Sequence, residues 1–209
     1  LLVLKLGFKS CEIVHSSPLS DNFTFFVAYA KADASLDYSK VEYQEAVSED
    51  FMSMDQVNEF IKAKFKRKLV VVGACTGTDA HTVGIDAIMN MKGYNHHYGL
   101  ERYSMIEAYN LGAQVPNEAL IDFARNKKAD AILVSQVVTQ KEVHVKNLTE
   151  LIELLEAEKL RSRFVVVIGG PRISNKLALE MGFDAGFGAG TYAEHVATFI
   201  ANKLLERKA

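Results

Sequence analysis

The residues best suited to chemistry are an aspartate and a histidine two positions apart, Asp79 and His81. They follow an apolar run rich in β-branched residues, Lys68–Cys75, which is typical of a buried parallel strand. The turn after such a strand lies at the carboxyl edge of a sheet, where open α/β folds bind their ligands. One ring nitrogen of this histidine can bind a metal while the other donates to the carboxylate. The same short pattern also occurs in surface loops and helix caps, so its meaning depends on the surrounding elements.

The composition sets limits on the function. Hydrophobic residues make up 49% of the 209 positions and charged residues 24%, as in ordinary globular proteins. A formal net charge of −2 gives no electrostatic basis for nucleic-acid binding. We expect no membrane association and a cytoplasmic location, because no apolar run reaches bilayer-spanning length and no signal-like segment opens the chain. Cys11 and Cys75 are expected to be free thiols, and the natural start is expected upstream of Leu1.

Residues 1–67 are predicted to form a small α+β domain that serves in dimerisation or docking. Aromatic and β-branched content, or alternation of polar and apolar residues, predicts the strands, and apolar helical spacing predicts the helix. The predicted elements are strands at Glu12–Ser16, Asn22–Ala30 and Lys40–Glu45, a helix over Met54–Lys66, and the end of a helix at Leu1–Gly7.

From Lys68 onward the chain alternates strands and helices. The predicted strands are Leu69–Ala74, Met105–Gly112, Ala131–Val138, Phe164–Gly170 and Ala185–Gly190. The predicted helices are Val83–Met91, Asn117–Lys128, Val145–Lys159, Asn175–Met181 and Tyr192–Arg207. Units of this kind and spacing favour a flavodoxin-like, doubly wound, five-stranded parallel sheet over residues 68–209.

Two further features follow later strands of this predicted sheet. Ser135 and Val137 lie at the end of the third strand, and Gly169 and Gly170 close the fourth. Glycines allow a ligand to approach the backbone, and a serine hydroxyl can hydrogen-bond to it. Taken singly, the glycine pair is better explained as a strand-ending turn and Ser135 as a buried hydroxyl bonded to backbone.

Together these features resemble the signature of cobalamin-binding domains, Asp-x-His-x-x-Gly followed by a serine and a glycine pair. The resemblance implies that His81 replaces the cofactor's own base beneath cobalt, and that the displaced nucleotide tail occupies a slot beside the sheet. Val137 is a mild departure, since the family usually has leucine there. The residues that the resemblance assigns to the cofactor are Asp79, His81, Gly84, Ser135, Val137, Gly169 and Gly170.

A narrower resemblance covers essentially all of residues 69–200. The segments that are similar to small β subunits of lysine 5,6-aminomutases are Gly77–Tyr94, His97–Tyr103, Val134–Lys141, Leu151–Glu158 and Gly169–Arg172. The resemblance implies an isomerase in lysine degradation that catalyses a radical 1,2-amino shift on D-lysine or β-lysine. It further implies adenosylcobalamin and pyridoxal 5′-phosphate as cofactors, and activity only with a large α subunit. The implied assembly is α2β2, with β–β contact through the N-terminal domain.

In that family a β-subunit lysine, eleven residues after the cobalt-binding histidine, forms the resting imine with pyridoxal phosphate. In that family pyridoxal phosphate is bound mainly by the α subunit. The corresponding residue here is Lys92, and the resemblance implies a catalytic role for it. From the residues alone, Lys92 is a solvated lysine near a helix end before Gly93. His96 and His97 could form a second metal site, but a solvated or core-edge role is favoured for both, and His195 is expected to be structural.

Other classes remain open. One is a corrinoid carrier of a methyltransferase system, although such carriers usually have a helical bundle where residues 1–67 are rich in predicted strands. Another is a non-catalytic cobalamin sensor or assembly partner. Ornithine and diaminobutyrate aminomutases are close alternatives, but their cobalamin domain is usually fused into a large chain. Neither D-lysine nor β-lysine is favoured as the substrate.

Overall fold

A computed structural model describes residues 2–20, 23–31, 51–137 and 143–208. The chain divides into two compact units, Leu1–Gln44 and Glu45–Ala209. The strand predicted at Lys40–Glu45 lies outside the described residues.

The first unit contains a short helix and an antiparallel hairpin. Helix α1, Leu2–Lys5, ends before Gly7, whose φ of 92° lies in the left-handed region that glycine adopts without strain. Strand β1, Ser10–Ser20, pairs antiparallel with β2, Phe23–Lys31. The two strands predicted in this stretch are therefore confirmed, and β1 extends beyond its predicted bounds on both sides.

The second unit is built on a five-stranded parallel sheet with the order β4-β3-β5-β6-β7. The strands are β3 Leu69–Cys75, β4 Ile106–Asn110, β5 Ala131–Ser135, β6 Val165–Gly169 and β7 Ala185–Phe187. The strand order reverses between β3 and β5, and doubly wound sheets bind ligands at the carboxyl ends of the strands beside such a reversal. The predicted flavodoxin-like sheet is confirmed, with strand ends shifted by a few residues.

Helices cover both faces of this sheet. They are α2 Met54–Phe65, α3 Val83–Met89, α4 Asn117–Asn126, α5 Val143–Ala157, α6 Asn175–Glu180 and α7 Ala193–Lys208. Buried residues of α2, α3 and α7 form one apolar layer with the sheet, and those of α4, α5 and α6 form the other. Because both faces are covered, the central strands are apolar on both sides, which explains their continuous β-branched runs.

Helix α2 belongs to the second unit, whereas the sequence places the domain boundary between residues 67 and 68. Its first turn is closed by a capping box between Ser53 and Gln56. Val57 and Ile61 are fully buried in the layer that α7 also enters. This apolar stripe completes the helical layer, so α2 packs with the sheet that follows it in the chain.

The first turn of α7 is closed by a histidine. The Tyr192 N–H donates to His195 Nδ1 at 3.0 Å, so this ring nitrogen must remain unprotonated. Burial of His195 lowers its pKa below the ordinary histidine value. The neutral ring is therefore part of the folded structure.

This gives a pH prediction for stability. Above the ordinary pKa of about 6.5 neither state carries the extra proton, and below it the unfolded chain takes up a proton that folded His195 resists. The unfolding free energy should therefore fall as the pH decreases from about 7 to about 5. In the variant His195→Gln, which keeps an acceptor, urea unfolding should show a smaller loss. His96→Gln, at an exposed histidine, should keep the wild-type pH dependence, and the same dependence in His195→Gln would contradict the assignment.

Candidate functional site

The carboxyl ends of four strands form a continuous row. Cys75, the last residue of β3, pairs with Ser135 of β5. Ser135 pairs with Gly169 of β6, and Gly169 pairs with Phe187 of β7. Asp79 lies in the loop between β3 and α3, beside the reversal of strand order. The structure thus brings residues predicted from three separate sequence segments to one edge of the sheet.

The Asp79 carboxylate is fully buried and accepts hydrogen bonds on both oxygens. Oδ1 accepts the backbone N–H of His81 at 2.9 Å and lies 2.9 Å from His81 Nδ1. Oδ2 accepts the backbone N–H of Val137 and the side-chain amide of Gln136, the latter at 3.3 Å. Because donors from β5's end and from its own loop surround it, this carboxylate has a fixed orientation.

The contact with Asp79 suits His81 to metal binding. A carboxylate oxygen accepts hydrogen bonds, so in the neutral ring the N–H that faces Asp79 is on Nδ1, and Nε2 is the nitrogen with the lone pair. The His81 side chain is 60% exposed, so a ligand can reach that nitrogen. In the described part of the chain no group of three His, Cys, Asp or Glu residues could hold a metal. A single imidazole suits a metal whose other positions are already filled by a macrocycle.

Behind Asp79 lies a buried amide network. Gln136 is 2% exposed, and its Oε1 accepts a hydrogen bond from Asn147 Nδ2 at 3.1 Å. Asn147 Nδ2 also donates to Thr76 Oγ1 at 2.7 Å. The network therefore connects helix α5 to the carboxylate that orients His81. The sequence analysis does not predict a role for Gln136 or Asn147. The one available signal is that Gln136 carries an amide directly after the apolar strand β5.

An apolar cavity of about 240 Å³ lies between α3, the first turn of α7 and the ends of β5, β6 and β7. Its walls include five residues that the sequence assigns to a cofactor, namely Gly84, Ser135, Val137, Gly169 and Gly170. The cavity is smaller than the roughly 300–1,000 Å³ of a typical small-molecule site. It therefore suits one end of an extended ligand.

The glycines along this cavity differ in their physical role. A Cβ at Gly170 would lie 2.2 Å from the carbonyl oxygen of Gln136, so only glycine fits against that backbone. A Cβ at Gly84 would lie 3.0 Å from Ser135 Oγ, so the glycine allows α3 to lie close to the end of β5. A Cβ at Gly169 would meet its nearest protein atom at an ordinary 3.7 Å, and a glycine there leaves space in the cavity.

Cys75 is buried beside the loop and is chemically quiet. Its Sγ donates to the carbonyl oxygen of His81 at 3.2 Å. Burial raises the pKa of this thiol to about 11, and the negative charge of Asp79 adds to the shift. A neutral thiol is a poor metal ligand and a poor nucleophile, so Cys75 serves to hold the His81 backbone.

Alkylation should separate the two cysteines. Since the thiolate is the reactive form, iodoacetamide at about pH 8 should label exposed Cys11 and spare Cys75 in the folded chain. Mass spectrometry of the peptides measures this, and unfolding in urea should make both sites react. A Cys11→Ser variant that still takes up the label while folded would contradict the assigned state of Cys75.

Lys92 lies apart from this cluster. It is exposed, in the turn after α3, eleven residues beyond His81. Within the described ranges Lys92 makes no hydrogen bond or ion pair, and so it contacts neither His81 nor Asp79. A seven-residue helix spans about 10 Å, which separates the two ends of α3. The structure therefore places Lys92 on the surface, away from the Asp79 carboxylate.

None of the helices that the structure describes is long and apolar enough to cross a membrane.

Comparison with known proteins yields matches along the chain. Residues 69–197 match the family described as B12 binding domain, and residues 1–45 match the dimerisation domain of D-ornithine 4,5-aminomutase. A lysine 5,6-aminomutase beta subunit from Acetoanaerobium sticklandii is 56% identical over 206 residues, covering 99% of this chain and 78% of that protein. Its counterpart from Fusobacterium nucleatum subsp. nucleatum is 54% identical with the same coverage.

The fold also has a counterpart among solved structures. A crystal structure of a cobalamin-binding protein from Desulfitobacterium hafniense DCB-2 matches with a TM-score of 0.51 at 21% identity. The match covers 72% of this chain and 69% of that chain. At this identity the likeness concerns the fold alone.

Proposed function

This chain belongs to the family of lysine 5,6-aminomutase beta subunits and to the B12-binding domain family, and we propose that it is the cobalamin-binding subunit of a radical aminomutase. The observation that carries the proposal is the His81–Asp79 pair beside an apolar cavity at the carboxyl edge of the sheet. When bound, adenosylcobalamin supplies the radical by homolysis of its cobalt–carbon bond, chemistry that no side chain provides.

His81 and Asp79 act together in this proposal. Asp79 keeps the Nδ1 proton on the imidazole and holds the ring in one orientation, so that His81 Nε2 can donate its lone pair to cobalt. The donors from Gln136 and Val137 keep the carboxylate from turning away. The donor set fits cobalamin, because His81 would supply one nitrogen ligand to cobalt and Asp79 would hold that ring in place.

Visible spectra of adenosylcobalamin with the purified chain test this assignment. We expect a base-off, histidine-on spectrum that His81→Ala abolishes. Asp79→Asn should weaken binding about 10- to 100-fold, as changes to the partner of a metal-bound histidine do. His96→Ala, at an exposed histidine outside the site, is the matched control and should leave the spectrum unchanged. A histidine-on spectrum that persists in His81→Ala would disprove the cobalt assignment.

The apolar cavity is proposed to hold the aromatic base of the displaced nucleotide tail. Its walls are apolar, and Ser135 at the end of β5 provides a hydroxyl for a hydrogen bond. The glycine at position 169 leaves room for a flat ring to lie against the strand end.

Filling the cavity should reduce affinity without touching the cobalt ligand. Ala87 lines the cavity from α3, and Ala87→Leu should weaken adenosylcobalamin binding by about tenfold or more, equivalent to ~1.4 kcal/mol. Ala119→Leu makes the same change at an exposed position of α4 and should bind as the wild type does. Equilibrium titration followed by absorbance measures both, and equal affinities would exclude the cavity as the tail site.

Lys92 is proposed to bond covalently to pyridoxal phosphate held by a large partner subunit. Two points support this: the position of Lys92 in the family resemblance, and its exposure on the surface away from His81. An exposed ammonium group must lose its proton before it can attack a carbonyl carbon, and burial at a subunit interface would favour the neutral amine.

The variant Lys92→Ala tests this role. Assembled with the large subunit and pyridoxal phosphate, it should lose the linkage that borohydride traps on this chain, while its cobalamin affinity stays at the wild-type value. Lys146→Ala, at an exposed lysine of α5, should retain the linkage. Peptide mass spectrometry identifies the modified residue. Loss of cobalamin affinity in Lys92→Ala as severe as in His81→Ala would refute the separation of roles.

The first unit is proposed to mediate contact between two copies of this subunit in an α2β2 assembly. Ile13, Phe26 and Tyr29 of the hairpin are between 55% and 70% exposed, an apolar surface suited to a partner. The match of residues 1–45 to an aminomutase dimerisation domain supports this proposal over a methyltransferase carrier. The amino substrate, D-lysine or β-lysine, would be selected by the large subunit.

A further inference from the structure

We propose that His97 and Glu194 form a latch that sets the position of Lys92, which makes them positioning residues for the bond between Lys92 and pyridoxal phosphate. The inference rests on the proposed role of Lys92. It is carried by the contacts of residues 90–99, called here the Lys92 loop. In the sequence, His97 is favoured as solvated or core-edge, and its partner on α7 is 97 positions away.

The backbone on both sides of Lys92 is fixed. The Met91 N–H donates to Glu101 Oε2 at 2.9 Å, and the Gly93 N–H donates to the carbonyl oxygen of Asn90 at 2.8 Å. Gly93 has a φ of 62°, and a Cβ there would lie 1.8 Å from the carbonyl oxygen of His97. The backbone that carries Lys92 is therefore packed directly against His97.

His97 in turn closes a tight hairpin turn. The Tyr94 N–H donates to the carbonyl oxygen of His97, and the His97 N–H donates to that of Tyr94, both at 2.9 Å. The two central residues, Asn95 and His96, have φ values of 50° and 68°. Positive φ at both positions is the geometry of a type I′ turn, which is compact and stiff. Displacement of His97 is therefore passed to Gly93 and Lys92.

The side chain of His97 attaches this turn to the start of α7. Its ring stacks on Tyr192 with centroids 3.7 Å apart and an interplanar angle of 15°. Its Nδ1 lies 3.0 Å from Glu194 Oε1. Asn95 Nδ2 adds a hydrogen bond to the Tyr192 hydroxyl at 3.3 Å. A ring contact and a polar contact thus hold the same imidazole.

The environment of Glu194 makes the polar contact important. The Glu194 side chain is 13% exposed, and its Oε2 is buried with no hydrogen-bond partner among the described residues. The Tyr103 hydroxyl is likewise buried and unpaired within the described chain, and burial, together with the charge of Glu194, raises its pKa. A carboxylate in such surroundings depends on His97, because removal of one partner leaves a buried charge uncompensated.

The latch would act on the rate of bond formation. The neutral Lys92 Nζ would attack the aldehyde carbon, a carbon–nitrogen double bond would form and the carbon–oxygen bond would break. The oxygen leaves as water with the two hydrogens of the amine, and nothing is oxidised or reduced. The rate of this condensation depends on where Nζ is held relative to that carbon. A Lys92 loop detached from α7 would sample other positions and react more slowly.

The experiment uses this chain assembled with its large subunit. Stopped-flow absorbance gives the rate constant for linkage of pyridoxal phosphate to Lys92, and cobalamin spectra report separately on His81. We expect His97→Ala to lower the rate constant about tenfold with an unchanged cobalamin spectrum. His97→Gln, which keeps an N–H donor for Glu194, should restore part of the rate. His96→Gly, which removes the adjacent exposed imidazole and gives the Asn-Gly pair that a type I′ turn prefers, is the control and should react at the wild-type rate.

A second variant keeps the test decisive if His97→Ala does not fold. Tyr192→Leu removes the stacking ring but keeps the contact between His97 Nδ1 and Glu194 Oε1, and it too should slow the linkage. Wild-type rate constants in the folded variants would overturn the latch. A linkage that forms fully in Lys92→Ala would instead overturn the proposed role of Lys92, so the two failures are distinguishable.

Discussion

The buried carboxylate of Asp79 is the constraint on which the site depends. A charge without contact with water needs donors on both oxygens, and here they come from the β3–α3 loop and from the end of β5. Two of those donors are themselves held in place. Gln136 is fixed by Asn147 of α5, and the His81 backbone is fixed by the thiol of Cys75. The hydrogen bonds to this one carboxylate therefore hold together the β3–α3 loop and the end of β5, beside the reversal of strand order. They also orient the His81 ring with Nδ1 toward Asp79.

The cavity follows from the same edge. Paired register places the ends of β5, β6 and β7 side by side, and the small residues that end β5 and β6 leave a gap that α3 and α7 cover. Gly170, which lines the cavity, packs so closely against the Gln136 backbone that only glycine fits. Gln136 in turn donates to Asp79, so the cavity wall and the hydrogen bonds to the carboxylate are in direct contact. The exposed imidazole of His81 and an apolar slot beside the sheet would suit the proposed cofactor, which has a metal-bearing head and a long tail.

Helix α3 separates two proposed chemistries. His81 precedes it and is oriented by contacts within the β3–β5 edge, whereas Lys92 follows it in a loop that His97 connects to α7. The two groups make no contact with each other among the described residues. The proposed binding of cobalamin and the proposed attachment of pyridoxal phosphate would therefore depend on separate sets of contacts. This arrangement suits a subunit that brings one cofactor to another held by a partner.

Several features could be predicted from the sequence because they depend on local pattern. Strands buried on both faces are continuous β-branched runs, which a short stretch of sequence is enough to identify. Asp79 and His81 are two residues apart, so their pairing can also be predicted from a short stretch. Other features arise only in the tertiary structure. Three contacts join segments that are brought together only by the order of the strands in the sheet. They are the Gln136–Asn147 hydrogen bond, the His97–Glu194 contact and the packing of α2 with α7. Side chains that are far apart in the sequence become partners because of where each helix packs on the sheet. The periodicity of the sequence does not predict that position.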